Sequence, residues 1–283
     1  TEYRQKNFTS NHTSDFSLLT EKDKNSKSHF FYEYLNNFNF KKFKENYVNF
    51  KFQQTSHDTY LKADKLESPL IENTDFLENS FGMNLYSNDL SIDTELTVYE
   101  DLNKNKSDRF EYIFPKFNLT RKIDNKTSLQ GDFSFKSNNL IRNFNTNVFE
   151  KSNINDLTFA SYPKISKKGF YNNYNVIIKN SNTDGQNSSN FKENENYYIS
   201  GLFQYNSSLP LVKETKKYKK ILKPKLSLKL APQNSKNISD QDVRIDLNNL
   251  YSLNRISEDD VIEGGASIVL GNDFSIFDKQ NLN

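Results

Sequence analysis

Apolar and polar residues alternate along most of this chain with a period of two, and helical spacing is scarce. In Leu90–Tyr99, Leu90, Ile92, Thr94, Leu96 and Val98 fall on one side, and Ser91, Asp93, Glu95, Thr97 and Tyr99 on the other. Successive side chains of a strand point to opposite faces, so this segment predicts a strand with one greasy and one wet face. Asn79–Ser87 repeats the pattern with Phe81, Met83 and Leu85. Lys126–Lys136 sets Leu129, Phe133 and Phe135 against Ser128, Gln130, Asp132 and Ser134. Further strands are expected at Ser28–Phe38, Asn46–Gln54, Phe170–Lys179, Tyr197–Tyr205, Leu222–Leu230 (within Lys220–Ala231) and Val261–Gly271. Most runs approach ten residues. That exceeds the usual globular strand of about 5–6 and matches the roughly 9–11 needed to cross a bilayer on a tilt.

The connections alternate in length. Tight ones are expected near Asn11 and at Lys41–Glu45, Asn88–Asp89, Lys122–Asn125 and Lys164–Gly169. Long polar ones are expected at Ser56–Leu77, Glu100–Asp108, Ser137–Asn153, Ser181–Asn196 and Ala231–Asp260. Turns at one end of a sheet and loops at the other are the asymmetry of outer-membrane barrels. The connection Ser207–Lys219 is long for its short side. Tyr86, Tyr99, Tyr112, Phe114, Tyr162, Tyr197 and Tyr205 near strand ends suit interfacial aromatic girdles. Pro115, Pro163 and Pro224 lie in or beside strands and, having no N–H for the ladder, should mark ends, bulges or weakened pairing. The fold class predicted is all-β: an antiparallel transmembrane β-barrel wall, a partial barrel of about 12–14 strands with long extracellular loops and short periplasmic turns. A soluble antiparallel sandwich is the alternative, and it calls for shorter strands with more apolar inner faces.

Composition agrees with a sheet wet on one side. Hydrophobic residues make up 34% of the 283, too few for a two-sided core, while 24 Phe and 16 Tyr separate the chain from disordered sequences. The 38 basic residues are matched by 36 acidic ones, so no nucleic-acid partner is expected. There is no cysteine for a disulfide or thiolate metal site, and no apolar run near the roughly 18 residues of a transmembrane helix. Thr1 is not an initiator, and the chain reads as an internal fragment whose missing targeting signals are uninformative.

Little in the sequence points to reaction chemistry. His12, His29 and His57 are scattered and read as surface or lumen side chains, a histidine-assisted hydrolase barrel being the other reading. Asp93 and Glu95, with Gln130 and Asp132, are expected to face a wet lumen. Leu90, Ile92, Leu96 and Val98 are expected to face lipid. Lys213–Lys225 is either a solvated turn running into a strand or a patch for anionic lipid or nucleic acid. No catalytic residue, metal or cofactor is assigned, and no enzymatic activity is expected.

One polar, turn-rich stretch, Asp246–Gly265, carries a family likeness. Its order Asn-Leu-Tyr-Ser-x-Asn-Arg-Ile-Ser, then Asp, then Val-Ile-Glu-Gly-Gly opening a strand, resembles a loop of the LptD family of lipopolysaccharide-assembly outer-membrane proteins. The segment from Gln54 to Lys62, the run Tyr112-Ile-Phe-Pro115 followed by Phe117, and the strand Lys220–Pro232 resemble family segments in family order, over roughly residues 45–272. Glu258 stands where the family often has Gly, and Val261 where it often has Arg. The motif residues are Asn249, Leu250, Asn254, Arg255, Asp260, Glu263, Gly264 and Gly265. Arg255 paired with Asp260 and Glu263 should hold the loop closed over the barrel mouth, contact of Arg255 with substrate phosphates being the alternative.

The resemblance implies that residues 1–283 belong to a C-terminal barrel domain in the outer membrane of a Gram-negative bacterium, with the N-terminal periplasmic jelly-roll domain outside this chain. It implies a role in placing lipopolysaccharide in the outer leaflet, an LptE-like lipoprotein plug inside the barrel, a periplasmic Lpt bridge that delivers the substrate, and outer-membrane lipid around it. A porin or ligand-gated transporter, or a secreted adhesin-like β protein, is the competing function.

Overall fold

The computed structural model describes residues 2–7, 9–20, 25–105, 107–233, 244–256 and 259–278, and strand dominates them. The strands are β1 (Glu2–Lys6), β2 (Ser10–Leu19), β3 (Lys27–Asn37), β4 (Glu45–Thr55), β5 (Phe76–Tyr86), β6 (Leu90–Asp101), β7 (Phe110–Ile123) and β8 (Gly131–Phe144). They continue with β9 (Val148–Ser161), β10 (Lys164–Ile165), β11 (Tyr171–Gln186), β12 (Asn196–Ser208), β13 (Leu211–Glu214), β14 (Tyr218–Ala231) and β15 (Gly265–Asp278). One helical turn, α1 (Tyr60–Ala63), interrupts them. The fifteen strands among the described residues belong to one sheet whose order follows the chain, the antiparallel meander of a barrel wall.

Prolines account for the two shortest strands. Ser208 faces Lys225 and Leu211 faces Leu222, so β13 continues β12 along β14 with no residue gained or lost. The break falls at Leu209–Pro210, where the Leu209 N–H still donates to the Pro224 carbonyl at 3.1 Å. Neither Pro210 nor Pro224 has an N–H for the ladder, which is why pairing thins there. β10 follows β9 beyond Pro163 and pairs with the start of β11. Counted as continuations, these two leave thirteen runs, within the expected number. The long Ser207–Lys219 connection is thereby mostly strand.

The chain divides into two compact units, residues 1–121, 136–153 and 182–197, and residues 122–135, 154–181 and 198–283. In the first, one face is apolar and partly exposed. Phe50 lies opposite Phe81, Phe81 opposite Leu96, and Val48 opposite Met83. Phe50 and Phe81 each keep about two-fifths of their surface exposed (39% and 40%). On the other face Lys51 reaches Glu78 at 3.2 Å and Glu72 at 3.0 Å. The Tyr86 hydroxyl donates to Asp93 at 2.5 Å, and Thr97 to Glu95 at 2.7 Å. Its buried cluster is small: Phe31, Leu61, Leu70, Leu77 and Leu102.

Pro115 shifts the register of β7. Glu95 faces Lys116 but Thr97 faces Ile113, so Phe114 and Pro115 together oppose Leu96 in a β-bulge. Tyr112 faces Val98 before the bulge and Leu119 faces Ile92 after it. The apolar side of β7 thus passes from even to odd positions, and the extra residue keeps both halves on the same face. This switch is legible in the sequence, where Phe110, Tyr112 and Phe114 give way to Phe117 and Leu119.

Several expected boundaries move. The tight connection expected near Asn11 comes just before it, between β1 and β2, where the Asn7 N–H donates to the Ser10 carbonyl at 2.7 Å. Asn11 itself lies inside β2, paired with Lys6. The strand expected at Lys126–Lys136 begins only at Gly131, because Asn125 donates to the Leu129 and Gly131 carbonyls and accepts from the Thr127 N–H, folding 125–130 into a turn. The long loop expected at Ser137–Asn153 is the end of β8, a turn at 145–147 and the start of β9. Its polar residues form a ladder in which Asn182 donates to Asn153, Asn153 to Asn139, and Asn139 to Ser137. Asn145 and Thr146 take positive φ (44° and 64°) in that turn. The loop expected at Ser181–Asn196 starts only after Gln186.

Deleting Pro115 should straighten β7 without turning either half over. It removes the one extra residue and leaves Phe114 alone opposite Leu96, with Phe110, Tyr112, Phe114, Phe117 and Leu119 in a single alternation. Refolded protein carrying the deletion should keep the strand signal in far-ultraviolet circular dichroism, as should Pro115→Ala.

Candidate functional site

In each unit a connecting segment folds onto the polar face of the strands. The second unit carries the longer one, 244–264, lying over β11, β12, β14 and β15. Its first turn is capped by Asp246, whose carboxylate accepts from the Asn248 and Asn249 N–H groups, while Asn249 Nδ2 donates to the Arg244 carbonyl at 2.8 Å. Leu250 N donates to the Asp246 carbonyl at 3.0 Å. Tyr251 then turns toward β15. A Cβ on Gly271 would sit 2.2 Å from the Tyr251 hydroxyl, so that glycine leaves the space the phenol fills. The Tyr251 carbonyl accepts from Gln204 Nε2 at 2.9 Å, and Lys225 Nζ stands 5.3 Å over the ring.

Asn254 is the hub of the segment. Its Nδ2 donates to the Ile256 carbonyl at 3.0 Å and the Val261 carbonyl at 2.9 Å, and its Oδ1 accepts from the Glu263 N–H at 3.2 Å. One planar amide thus closes an eight-residue excursion. A carboxylate would offer no donors here. Val261 is buried, and Ile262 packs with Ile177, Leu202 and Ala231. Both precede β15, so the strand expected to open at Val261 opens at Gly265, whose φ of +83° suits glycine.

Arg255 and Glu263 pair as the motif suggests, with Arg255 Nε donating to Glu263 Oε2 at 2.6 Å and Nη2 to Ser267 Oγ at 3.1 Å. The sequence reading missed their third member. Lys229 of β14, 2% exposed, has its Nζ 3.1 Å from Glu263 Oε1. This is a charge contact whose angles are not those of a hydrogen bond. A second buried lysine, Lys179 of β11, pairs with Asp156 at 2.7 Å and donates to the Asp259 carbonyl. In an alternating strand a lysine on the wet face reads as solvated, and only the overlying loop buries it. Asp260 is partly buried. Glu258 lies outside the described residues.

In the first unit Ser56–Asp75 straps the polar face. Leu61 and Leu70 enter the small core, and Lys27 of β3 meets Asp64 at 3.0 Å. Arg109 clamps Asp58 with two bonds of 2.8 and 2.6 Å and also donates to Glu100. Hydrogen bonds from Asp58 and then Glu100 raise the guanidinium pKa above its already high ordinary value, against the effect of burial. The scattered histidines prove unequal here. His29 is buried, 3.0 Å from Asp15 and 2.6 Å from Ser17, and the Ser17 hydroxyl is 2.8 Å from Tyr60. The order Asp–His–Ser is that of a hydrolase, but the Tyr60 phenol occupies the open side of the serine. The chain of bonds fastens the strap to the wall.

Asp93 and Glu95 line one polar hollow of about 400 Å³ with Tyr47, Asn49, Asn84 and Lys116. Leu90, Ile92, Leu96 and Val98 occupy the even, opposite face of β6. Gln130 lies in the 125–130 turn, its carbonyl accepting from the Tyr162 N–H at 3.0 Å, so it is not a strand residue. Asp132, near the start of β8, accepts from the Tyr162 hydroxyl at 2.8 Å, which raises the phenol's pKa. Among the described residues no group of His, Asp and Glu has the geometry of a metal site. No helix there is long and apolar enough to cross a membrane, which says nothing of crossing by strands.

Glu263→Ala should leave Lys229 and Arg255 buried without a countercharge, a loss of about 3–5 kcal/mol. Asn254→Ala should lose about 2–3 kcal/mol at roughly 1 kcal/mol per bond. Trypsin cleavage after Arg255 on the folded protein should rise at least about tenfold in either variant.

A family model described as LptD, LPS transport system D, matches residues 27–283. No curated protein matches the chain.

Proposed function

The chain belongs to the LptD family of the LPS transport system, and we propose that its sheet is part of the wall of the outer-membrane translocon that assembles lipopolysaccharide into the outer leaflet. The observation that carries this reading is the division of β6 and its neighbours into a half-exposed apolar face and a charged, hydrogen-bonded one. In hydrocarbon every backbone polar group needs an internal partner, and strands paired on both edges provide it. The apolar face with Phe50, Phe81 and Leu96 then meets lipid. The face with Asp93, Glu95 and Lys116 meets water, where the sugars and phosphates of a glycolipid remain solvated.

Each fastened segment gives the wet face of its own unit a defined lining. In this reading the 244–264 segment is a fixed part of the passage, held by Asn254 and by the Lys229–Glu263–Arg255 charges. The reading extends to partners by family membership: a plug lipoprotein of the LptE kind in the lumen and a periplasmic Lpt bridge. Family membership also supports a transport role and no enzymatic one.

Spin labels on the full-length protein in bilayers test the faces. Labels replacing Ile92, Leu96 and Val98 should relax with oxygen, and those replacing Asp93 and Glu95 with a water-soluble nickel complex. Equal response of both sets would sink the membrane-wall reading. In cells depleted of the native protein, Glu263→Ala should reduce surface lipopolysaccharide several-fold. Normal display with new ion conductance would point to a porin, and a chain soluble without detergent to an adhesin.

A further inference from the structure

The overall charge is balanced, but in the second unit it is not evenly placed. Three connections lie at one end of the antiparallel strands: 124–130 before β8, 166–170 before β11, and 215–217 before β14. The first two are neighbours in space, and the third closes the next hairpin along the sheet. The Tyr162 hydroxyl reaches Asp132 beside the first, and the Leu209 side chain comes within 3.5 Å of a Cβ built on Gly169 in the second. The first brings exposed Lys122 and Lys126, and the second exposed Lys164, Lys167 and Lys168. The third brings exposed Lys213, Lys216, Lys217 and Lys220. Against these nine lysines the same segments and their flanks carry three acids, Asp124, Asp132 and Glu214. At the other end the described part of 244–264 carries Asp246, Asp259, Asp260 and Glu263 against Arg244 and Arg255.

We propose that this lysine rim is a docking surface for the anionic phospholipid headgroups of the leaflet that meets the short turns. The inference rests on the membrane-wall reading. The side-chain chemistry favours a surface over a fitted ligand. All nine cations are lysines, hydrated point charges on flexible stems, where a fitted phosphate site favours the rigid fork of arginine. They sit on turns and strand ends rather than around a cavity. Exposed apolar residues stand among them: Tyr162 (51% exposed), Ile165 (62%), Leu211 and Val212. Lys217 lies 5.2 Å over the Tyr218 ring. Apolar and aromatic surface beside lysine is the composition of a bilayer interface, where the stems lie along the acyl boundary and the ammonium groups among headgroups.

The test uses the full-length protein reconstituted into phosphatidylcholine bilayers, with spin-labelled phosphatidylglycerol or phosphatidylcholine as probe. At low salt the protein-associated fraction should favour phosphatidylglycerol about threefold or more, and the preference should fall toward one at about 1 M salt. Replacing Lys167, Lys168, Lys216 and Lys217 by Gln should remove most of it, and replacing them by Arg should keep it. Preference near one in inserted, heat-modifiable protein, or preference unchanged by the Gln variant, overturns the docking surface and leaves the membrane wall standing. Loss of preference to inorganic phosphate at constant ionic strength makes the rim a phosphate site and also overturns it. Protein that fails to insert in either lipid overturns the membrane wall and the rim together.

Discussion

Pairing of each strand with its two neighbours is the constraint from which the rest of the structure follows. A sheet without a deep two-sided core cannot depend on apolar burial, and the clusters here are small and local. Its cohesion lies in ladders such as the fourteen paired positions of β14 and β15. Those ladders tolerate proline only where the geometry yields: a bulge at Pro115, breaks at Pro163 and Pro210, and Pro224 set against one of those breaks. With the backbone satisfied by pairing, the side chains of the two faces are free to differ completely.

The polar face is nonetheless far from uniformly wet. Lys229, Lys179 and Lys51 are all covered or crowded by neighbours, and each has an acid within reach. In the second unit the cover is the 244–264 segment, and its own charges complete the compensation. Burying an ion pair contributes little net stability compared with apolar packing, yet removing one partner is costly. Such an arrangement holds a loop in one position better than it raises overall stability. The strap in the first unit adds to its ion pairs a chain of hydrogen bonds to the same end, through Tyr60, Ser17, His29 and Asp15.

Charge placement adds a direction to the sheet. In the second unit lysines gather at the turn end and acids predominate in the long segment at the other. A balanced total conceals this, since composition averages over the strand axis. The segment Lys213–Lys225, read alone, was equally a solvated turn. Its meaning changes once it is seen to close the hairpin next along the sheet from 166–170.

The sequence by itself determined the strands, their faces and the family. Period two in Leu90–Tyr99 and the parity switch across Pro115 are local properties, set by the alternation of side chains along an extended backbone. The Arg255–Glu263 pair was legible because both residues lie within one short motif. Strand ends were less legible, because polar stretches such as 137–153 look like loops until side-chain amides on neighbouring strands bond to one another. Only the tertiary structure decided which wet-face residues are covered. Lys229 meets Glu263 across 34 positions of chain and Lys179 meets Asp259 across 80. Alternation fixes the face a side chain takes, but what lies above that face depends on where a distant loop comes to rest.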